Sequence, residues 1–229
     1  MASIDKIIKT YNSVIKDAES KASNSKRAYG GYLRAMKGCL QEHITEEIIK
    51  IAWKNLKGAD DRIEINSKKI SIPIQESYIN NIADKEVREY IRQNIKKYFY
   101  KLSVDKHVFI DGQFVMGIEC KVYTENAMIK RILTDFHLLK TVNPNISCFL
   151  FQLESQLGGD YSDLSKLVYG SFATHSIMSY FEDVDLHIFT LLEGERDVNK
   201  PIHKNFKPLK RNKIENAVKL LESYLKKYL

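Results

Sequence analysis

The stretch from Val104 to Tyr123, VDKHVFIDGQFVMGIECKVY, admits few backbone arrangements. Lys106 to Ile110 is β-branched and aromatic, Asp111-Gly112 is a turn signal, and Phe114 to Val122 is a second extended run, so the spacing predicts a β-hairpin. Side chains alternate faces along a strand, which puts Glu119 and Lys121 on one face and Ile118, Cys120 and Val122 on the other. Parity then decides which acid joins the pair. A strict two-residue turn sends Asp105 to the opposite face. An odd loop, Ile110-Asp111-Gly112 or Asp111-Gly112-Gln113, or alternatively a bulge, brings it almost opposite Glu119. Asp111 is excluded by distance, because about eight residues at ~3.3 Å each separate it from Glu119 by roughly 26 Å.

Two carboxylates and an ammonium converging on one point suit Mg²⁺, a hard cation that takes one or two protein carboxylates, keeps several waters and accepts phosphate oxygens. A metal and a neighbouring lysine together orient a water, favour its deprotonation and stabilise charge developing on phosphate. The chemistry expected of such a group is phosphodiester hydrolysis.

Asp105, thirteen intervening residues and then Glu119-Cys120-Lys121 on a hydrophobic strand resemble the motif of the PD-(D/E)xK nuclease superfamily. The resemblance implies that Asp105 and Glu119 bind the metal and that Lys121 assists the attacking water. It departs at position 104, where the pattern has proline and this chain has Val104. Many such nucleases also carry an acid on a helix preceding the hairpin, and the resemblance gives Glu42 that role, with Glu46 one turn further. A solvated acidic face pairing with Lys50 and Lys54 is the competing reading of the same residues.

The 229 residues, 44% of them apolar, are read as one domain, 1–229: a mainly helical part over 1–100, a catalytic α/β core over 101–195, a basic arm and a C-terminal helix over 214–229. The expected fold is mixed α+β, a restriction-endonuclease-like core with a central mixed sheet of about five strands flanked by helices. Residues 4–18 carry an apolar stripe of Ile4, Ile7, Ile8, Tyr11, Val14, Ile15 and Ala18, and Asn24-Ser25 caps a second helix reaching Trp53. Alternation over 62–74 predicts a second small hairpin turning at Asn66-Ser67, with Pro73 on an edge. Asp84 to Tyr98 reads as a helix with Val87, Tyr90, Ile91, Ile95 and Tyr98 inward. Thr124 caps a helix running to Lys140, whose crossover makes Ser147–Leu153 a central strand parallel to the second hairpin arm. Asp163–Phe181 is helical in pattern and Asp185–Leu192 is a further strand.

The net charge of +7 favours a polyanionic partner, double-stranded DNA on the hydrolytic reading. Candidate phosphate contacts are Lys26, Arg27, Arg34 and Lys37, interleaved with Tyr29 and Tyr32, together with Lys204, Lys207, Lys210 and Arg211 in the acid-free stretch 199–213. The loop 153–163 lies beyond a strand end, where α/β sheets hold ligands, and its Gln156 is suited to bonding adenine bidentately. An ordinary charged surface and an ordinary strand-to-helix connection are the competing readings. His107, His175 and His187 have no partner at metal spacing and read as core or surface histidines. Cys39, Cys120 and Cys148 read as buried thiols in a reducing compartment, and no apolar leader or run of eighteen apolar residues occurs, so an intracellular, cytoplasmic prokaryotic protein without membrane contact is expected. Walker A, GxGxxG and zinc-finger spacings are absent, which removes nucleotide-driven motors.

Size, basicity and the lack of an appended module resemble the type II restriction endonucleases. That implies a homodimer with one active site for each strand, and GIECKVYTENAMIKRIL looks most like members that cut short interrupted sites. Two readings stand beside it: a structure-selective repair or recombination nuclease such as a junction resolvase, and a basic nucleic-acid-binding protein without catalysis.

Overall fold

The computed structural model describes residues 3–22, 29–197 and 206–229. Its centre is a mixed five-stranded sheet. Strands β1 (Ile63–Asn66), β4 (Lys106–Ile110), β5 (Gln113–Thr124), β6 (Ser147–Ser155) and β7 (Leu186–Thr190) lie side by side in that order. The first two junctions are antiparallel and the last two parallel, so β4 alone runs against the other four strands. Helices α1 (Ile4–Ala22), α2 (Tyr29–Asn55) and α7 (Arg211–Leu225) cover one face, burying Ile7, Tyr11, Ile15, Ile44, Ile48, Trp53, Ile214 and Leu221 against Ile118, Phe149, Phe151 and Phe189. The other face packs Cys148 and Leu150 under α5 (Asn126–Lys140) and α6 (Phe172–Met178). Beside them sits a two-stranded sheet of β2 (Ile70–Ile72) and β3 (Tyr100–Leu102), whose Ile72 and Leu102 are buried with Ile129 and Ile132. Helices α3 (Glu76–Asn80) and α4 (Lys85–Gln93) connect these strands, and Asp84 caps α4 by accepting from the Glu86 and Val87 N–H groups.

The mixed sheet of five strands, the amphipathic first and last helices and the parallel β5–β6 crossover are as the sequence predicts. Several expectations are corrected. Residues 62–74 do not form a hairpin: β1 pairs with β4 and β2 with β3, because each alternating run finds a longer-range partner. Helix α4 stops at Gln93 and a 3₁₀ turn over Ile95–Tyr98 follows; Val87, Tyr90 and Tyr98 are exposed, not inward. Thr124 does not cap α5. It is the last residue of β5, the N-cap is Glu125, and no side-chain bond closes that helix end. Over 163–181 only Phe172–Met178 is helical, started by Ser171, whose hydroxyl accepts from the Thr174 N–H. Cys39 is exposed, while Cys120 and Cys148 are buried. The Asn24-Ser25 cap lies outside the described residues, among which no helix is long and apolar enough to cross a membrane.

Candidate active site

The hairpin of β4 and β5 turns through Asp111-Gly112, both at positive φ (50° and 77°), which is the two-residue turn that matches strand twist. Such a turn alone would place Asp105 on the wrong face. The register corrects it: Val108 faces Met116 but Phe109 faces Phe114, so Val115 is an extra, bulged residue in β5. Of the ways open to the chain the bulge is the one used, and neither three-residue loop forms. Lys106 lies opposite Ile118, which sets Asp105 level with Glu119.

Strand β4 pairs with β5 no further than Ile118, so beyond that point β6 is the one strand that pairs with β5 among the described residues. Asp105 takes over the missing partner's role. Its Oδ2 accepts the Cys120 N–H at 2.7 Å, tying the carboxylate to the bare edge of β5. Lys121 Nζ donates to Glu119 Oε1, to the Cys120 carbonyl at 3.2 Å and to Asp105 Oδ2 at 3.5 Å. The two carboxylates and the ammonium therefore meet at one point, each only partly open to solvent. The preceding backbone is fixed as well. Val104 N–H donates to Nε2 of the buried His107 at 3.1 Å, and burial lowers the His107 pKa to about 4, so at neutral pH the ring is the neutral acceptor this bond requires.

Glu42 joins from α2. Its helix is anchored on either side of it: buried Gln41 donates to the Phe151 carbonyl, and Thr45 accepts the Cys120 thiol at 3.5 Å. Burial raises the Glu42 pKa and the charge of Asp105 raises it further, opposed by Lys106 and Lys121. These interactions place its carboxyl among the same charges. The acidic face of α2 is thus divided. Glu46 and Glu47 pair with Lys50, at 2.8 and 3.2 Å, and Glu46 also holds Lys106 at 3.0 Å, whereas Glu42 has no such lysine among the described residues.

Burial raises the Glu119 pKa, Asp105 adds to the rise, and Lys121 only partly offsets it. Burial alone would lower the pKa of Lys121, yet Glu119 and Asp105 outweigh it and keep the group firmly an ammonium. Asp135 on α5 is a further contributor to Glu119, and burial raises its own pKa too. Three carboxyls around one lysine are raised above their ordinary range, each chiefly by burial, so the site disfavours their ionised forms. Among the described residues no three His, Cys, Asp or Glu side chains close into a metal cage. An open set of oxygen donors, completed by water and substrate, fits a hard divalent cation.

The remaining candidates are scattered. Lys26, Arg27 and Lys204 lie outside the described residues. Arg34 is exposed and its guanidinium sits 5.5 Å from the ring of Tyr123, two residues past Lys121; Arg196, which the sequence does not single out, stacks on the same ring at 4.0 Å. Lys37 is buried. Lys207 is held by Glu154 at 3.0 Å, Lys210 by Glu193, and Arg211 by Asp5 and Glu215, so the acid-free stretch finds its acids elsewhere in the chain. Gln156 is half-buried and its backbone N–H donates to the Thr124 carbonyl at 3.0 Å. Asp135 and His107 are the residues least visible in sequence. Asp135 lies on α5 beside the buried Phe136 and is ion-paired with Arg131 at 3.8 Å.

No protein-family model and no solved structure matches the chain. The type II restriction enzyme DdeI of Desulfomicrobium norvegicum is 56% identical over 227 residues, spanning 96% of this chain and 95% of that protein. With more than half of its residues shared over nearly its whole length, the chain belongs to the type II restriction enzymes.

Proposed function

We propose that the protein hydrolyses phosphodiester bonds of double-stranded DNA at a short specific sequence, with Mg²⁺ as its cation and Asp105, Glu119 and Lys121 as its catalytic group. One observation carries this reading: Lys121 touches both carboxylates where the edge of β5 beyond Ile118 is covered by no strand among the described residues. Asp105 and Glu119 would hold the cation, with Glu42 adding negative charge behind them. When bound, the cation neutralises phosphate charge and favours an ionised water. Asp105 is kept in place by the Cys120 N–H, and His107 fixes the peptide before it. Lys121, held as an ammonium, donates toward the attacking water or the non-bridging phosphate oxygen and balances charge as the bond breaks. Arg34 and Arg196, both lying on Tyr123, would meet phosphates beside the scissile one. A homodimer would offer a second site to the other strand.

The test is incubation of the purified protein with phage-length DNA and Mg²⁺. Discrete fragments that vanish in EDTA are the expected result. A Mg²⁺-dependent smear would replace this reading with structure-selective or non-specific cutting, and uncut DNA would refute it.

The burial of Glu119 gives a second expected result that needs no cleavage. The folded-state pKa of Glu119 is raised, so the native protein binds more protons than the unfolded chain between the two pKa values. Stability therefore falls as pH rises through that window, and the penalty is fully present above it. A divalent cation relieves the penalty only where the carboxylates are ionised. At a concentration near 100 times its Kd, Ca²⁺ should raise stability by about 2.7 kcal/mol, roughly 5–10 °C in Tm for a chain of this size. The shift should shrink on acidification toward the ordinary carboxylate range. A shift that grows at acid pH, or none at pH 7.5, would count against cation binding at this site.

A further inference from the structure

The segment from α4 through β3 presents a surface that its own periodicity does not predict. Val87, Tyr90 and Tyr98 are 48%, 59% and 39% exposed, and Tyr100 is 55% exposed. Large side chains left out in one stretch usually have a partner. Lys96 and Lys97 stand between Tyr90 and Tyr98 and Lys101 follows Tyr100, all three exposed. Among the described residues none of these three lysines meets a carboxylate. Lys97 donates to Asn94 Oδ1 at 2.8 Å and Lys101 to the Ser71 hydroxyl. Their neighbour Arg92, by contrast, is paired with Glu76 and Glu89.

This composition selects the partner. An apolar protein surface would have to desolvate three ammonium groups with nothing to pair them, and lysine is depleted in protein–protein interfaces for that reason. A DNA backbone supplies what is missing. Phosphates accept from ammonium and tyrosyl hydroxyl groups, while the rings rest against sugar. The segment is also held firmly, since β3 pairs with β2 in the register Ser71 to Lys101 and anchors Leu102 in the core under α5.

Its place in the chain adds the decisive constraint. Lys101 is four residues before Asp105, and at no more than ~3.6 Å per residue their Cα atoms lie within about 14 Å, roughly four nucleotide steps of 3.4 Å along one strand.

We propose that Lys96, Lys97, Tyr98 and Lys101 form a platform that grips the DNA backbone within a few nucleotides of the bond to be cut. The location, though not the binding, rests on the reading of Asp105, Glu119 and Lys121 as the cleavage site. The experiment is duplex binding in Ca²⁺ across a salt series, comparing the wild type with a K96A/K97A/K101A variant. The log–log salt slope should become shallower by about 2.7, at ~0.9 for each phosphate that a lysine no longer neutralises. Cleavage should lose kcat/KM through a higher KM, and K96R/K97R/K101R should restore both. A Y98A variant should weaken binding with the slope kept, since no charge is removed. An unchanged slope in the triple alanine variant overturns the platform. Conversion of a dimer to a monomer with the slope per subunit unchanged also overturns it, and would make this face a contact between copies. Failure of the cleavage-site reading looks different: a Lys121→Ala protein would then still cut, whatever the slope.

Discussion

The Lys121→Ala protein should bind duplex DNA and divalent cations but cleave roughly a thousandfold more slowly, the scale on which losing one preorganised donor to developing charge is felt. The ammonium is the only cation in direct contact with both Glu119 and Asp105 among the described residues, and it is half-buried, so bulk solvent does not replace it. Duplex affinity should fall by no more than the share of a single phosphate contact, because any steering charge lies elsewhere on the surface. Removing the lysine leaves two carboxylates facing each other without compensation, and the already raised Glu119 pKa should rise further. Cation affinity at pH 7.5 should therefore be kept or increased, visible as a Ca²⁺-induced Tm shift at least as large as that of the wild type. Rapid cleavage by this variant would remove Lys121 from the chemistry. Loss of the Ca²⁺ shift together with cleavage would make Lys121 a support of the site and not a participant.

The candidate site is legible in the sequence because the three residues proposed for it obey a short-range rule. Alternation on a strand pairs Glu119 with Lys121, and parity across the turn admits Asp105 only with an odd loop or a bulge. What the sequence leaves open is where the parity is corrected. Two apolar strands tolerate either solution locally, and it is the pairing register that identifies Val115, buried in the core, as the bulged residue. Long-range pairing hides more. Ile63–Asn66 and Ile70–Ile72 have the alternation of a hairpin, and nothing in them names β4 and β3 as their partners. Tyr90 and Tyr98 fit an inward stripe by period, but tyrosine is also at home on a surface that meets a polar ligand, so period alone misplaces them. His107 has no metal-spaced partner in the sequence and reads as structural; in the fold it is a buried neutral ring whose one hydrogen bond holds the backbone leading into Asp105.

Asp105→Asn should separate the metal from the lysine. The substitution keeps a side-chain carbonyl able to accept the Cys120 N–H, so the tie to the edge of β5 and the thermal stability without metal should change little. What it removes is one negative charge from the cation's donor set. Weaker cation binding deprives the reaction of the charge stabilisation the metal supplies, and a loss of about 4 kcal/mol corresponds to a rate decrease of roughly a thousandfold. The same charge helps to raise the Glu119 and Glu42 pKa values, so both should fall back toward the ordinary carboxylate range in the variant. The Ca²⁺-induced Tm shift should disappear, the opposite of the expectation for Lys121→Ala. Asp105→Ala serves as the control: it loses the hydrogen bond as well as the charge, and should lower Tm even without metal, by the cost of leaving the Cys120 N–H without its acceptor. If Asp105→Asn cleaves at the wild-type rate, or keeps the full Ca²⁺ shift, Asp105 is a structural clamp on β5 and the cation is held by other residues.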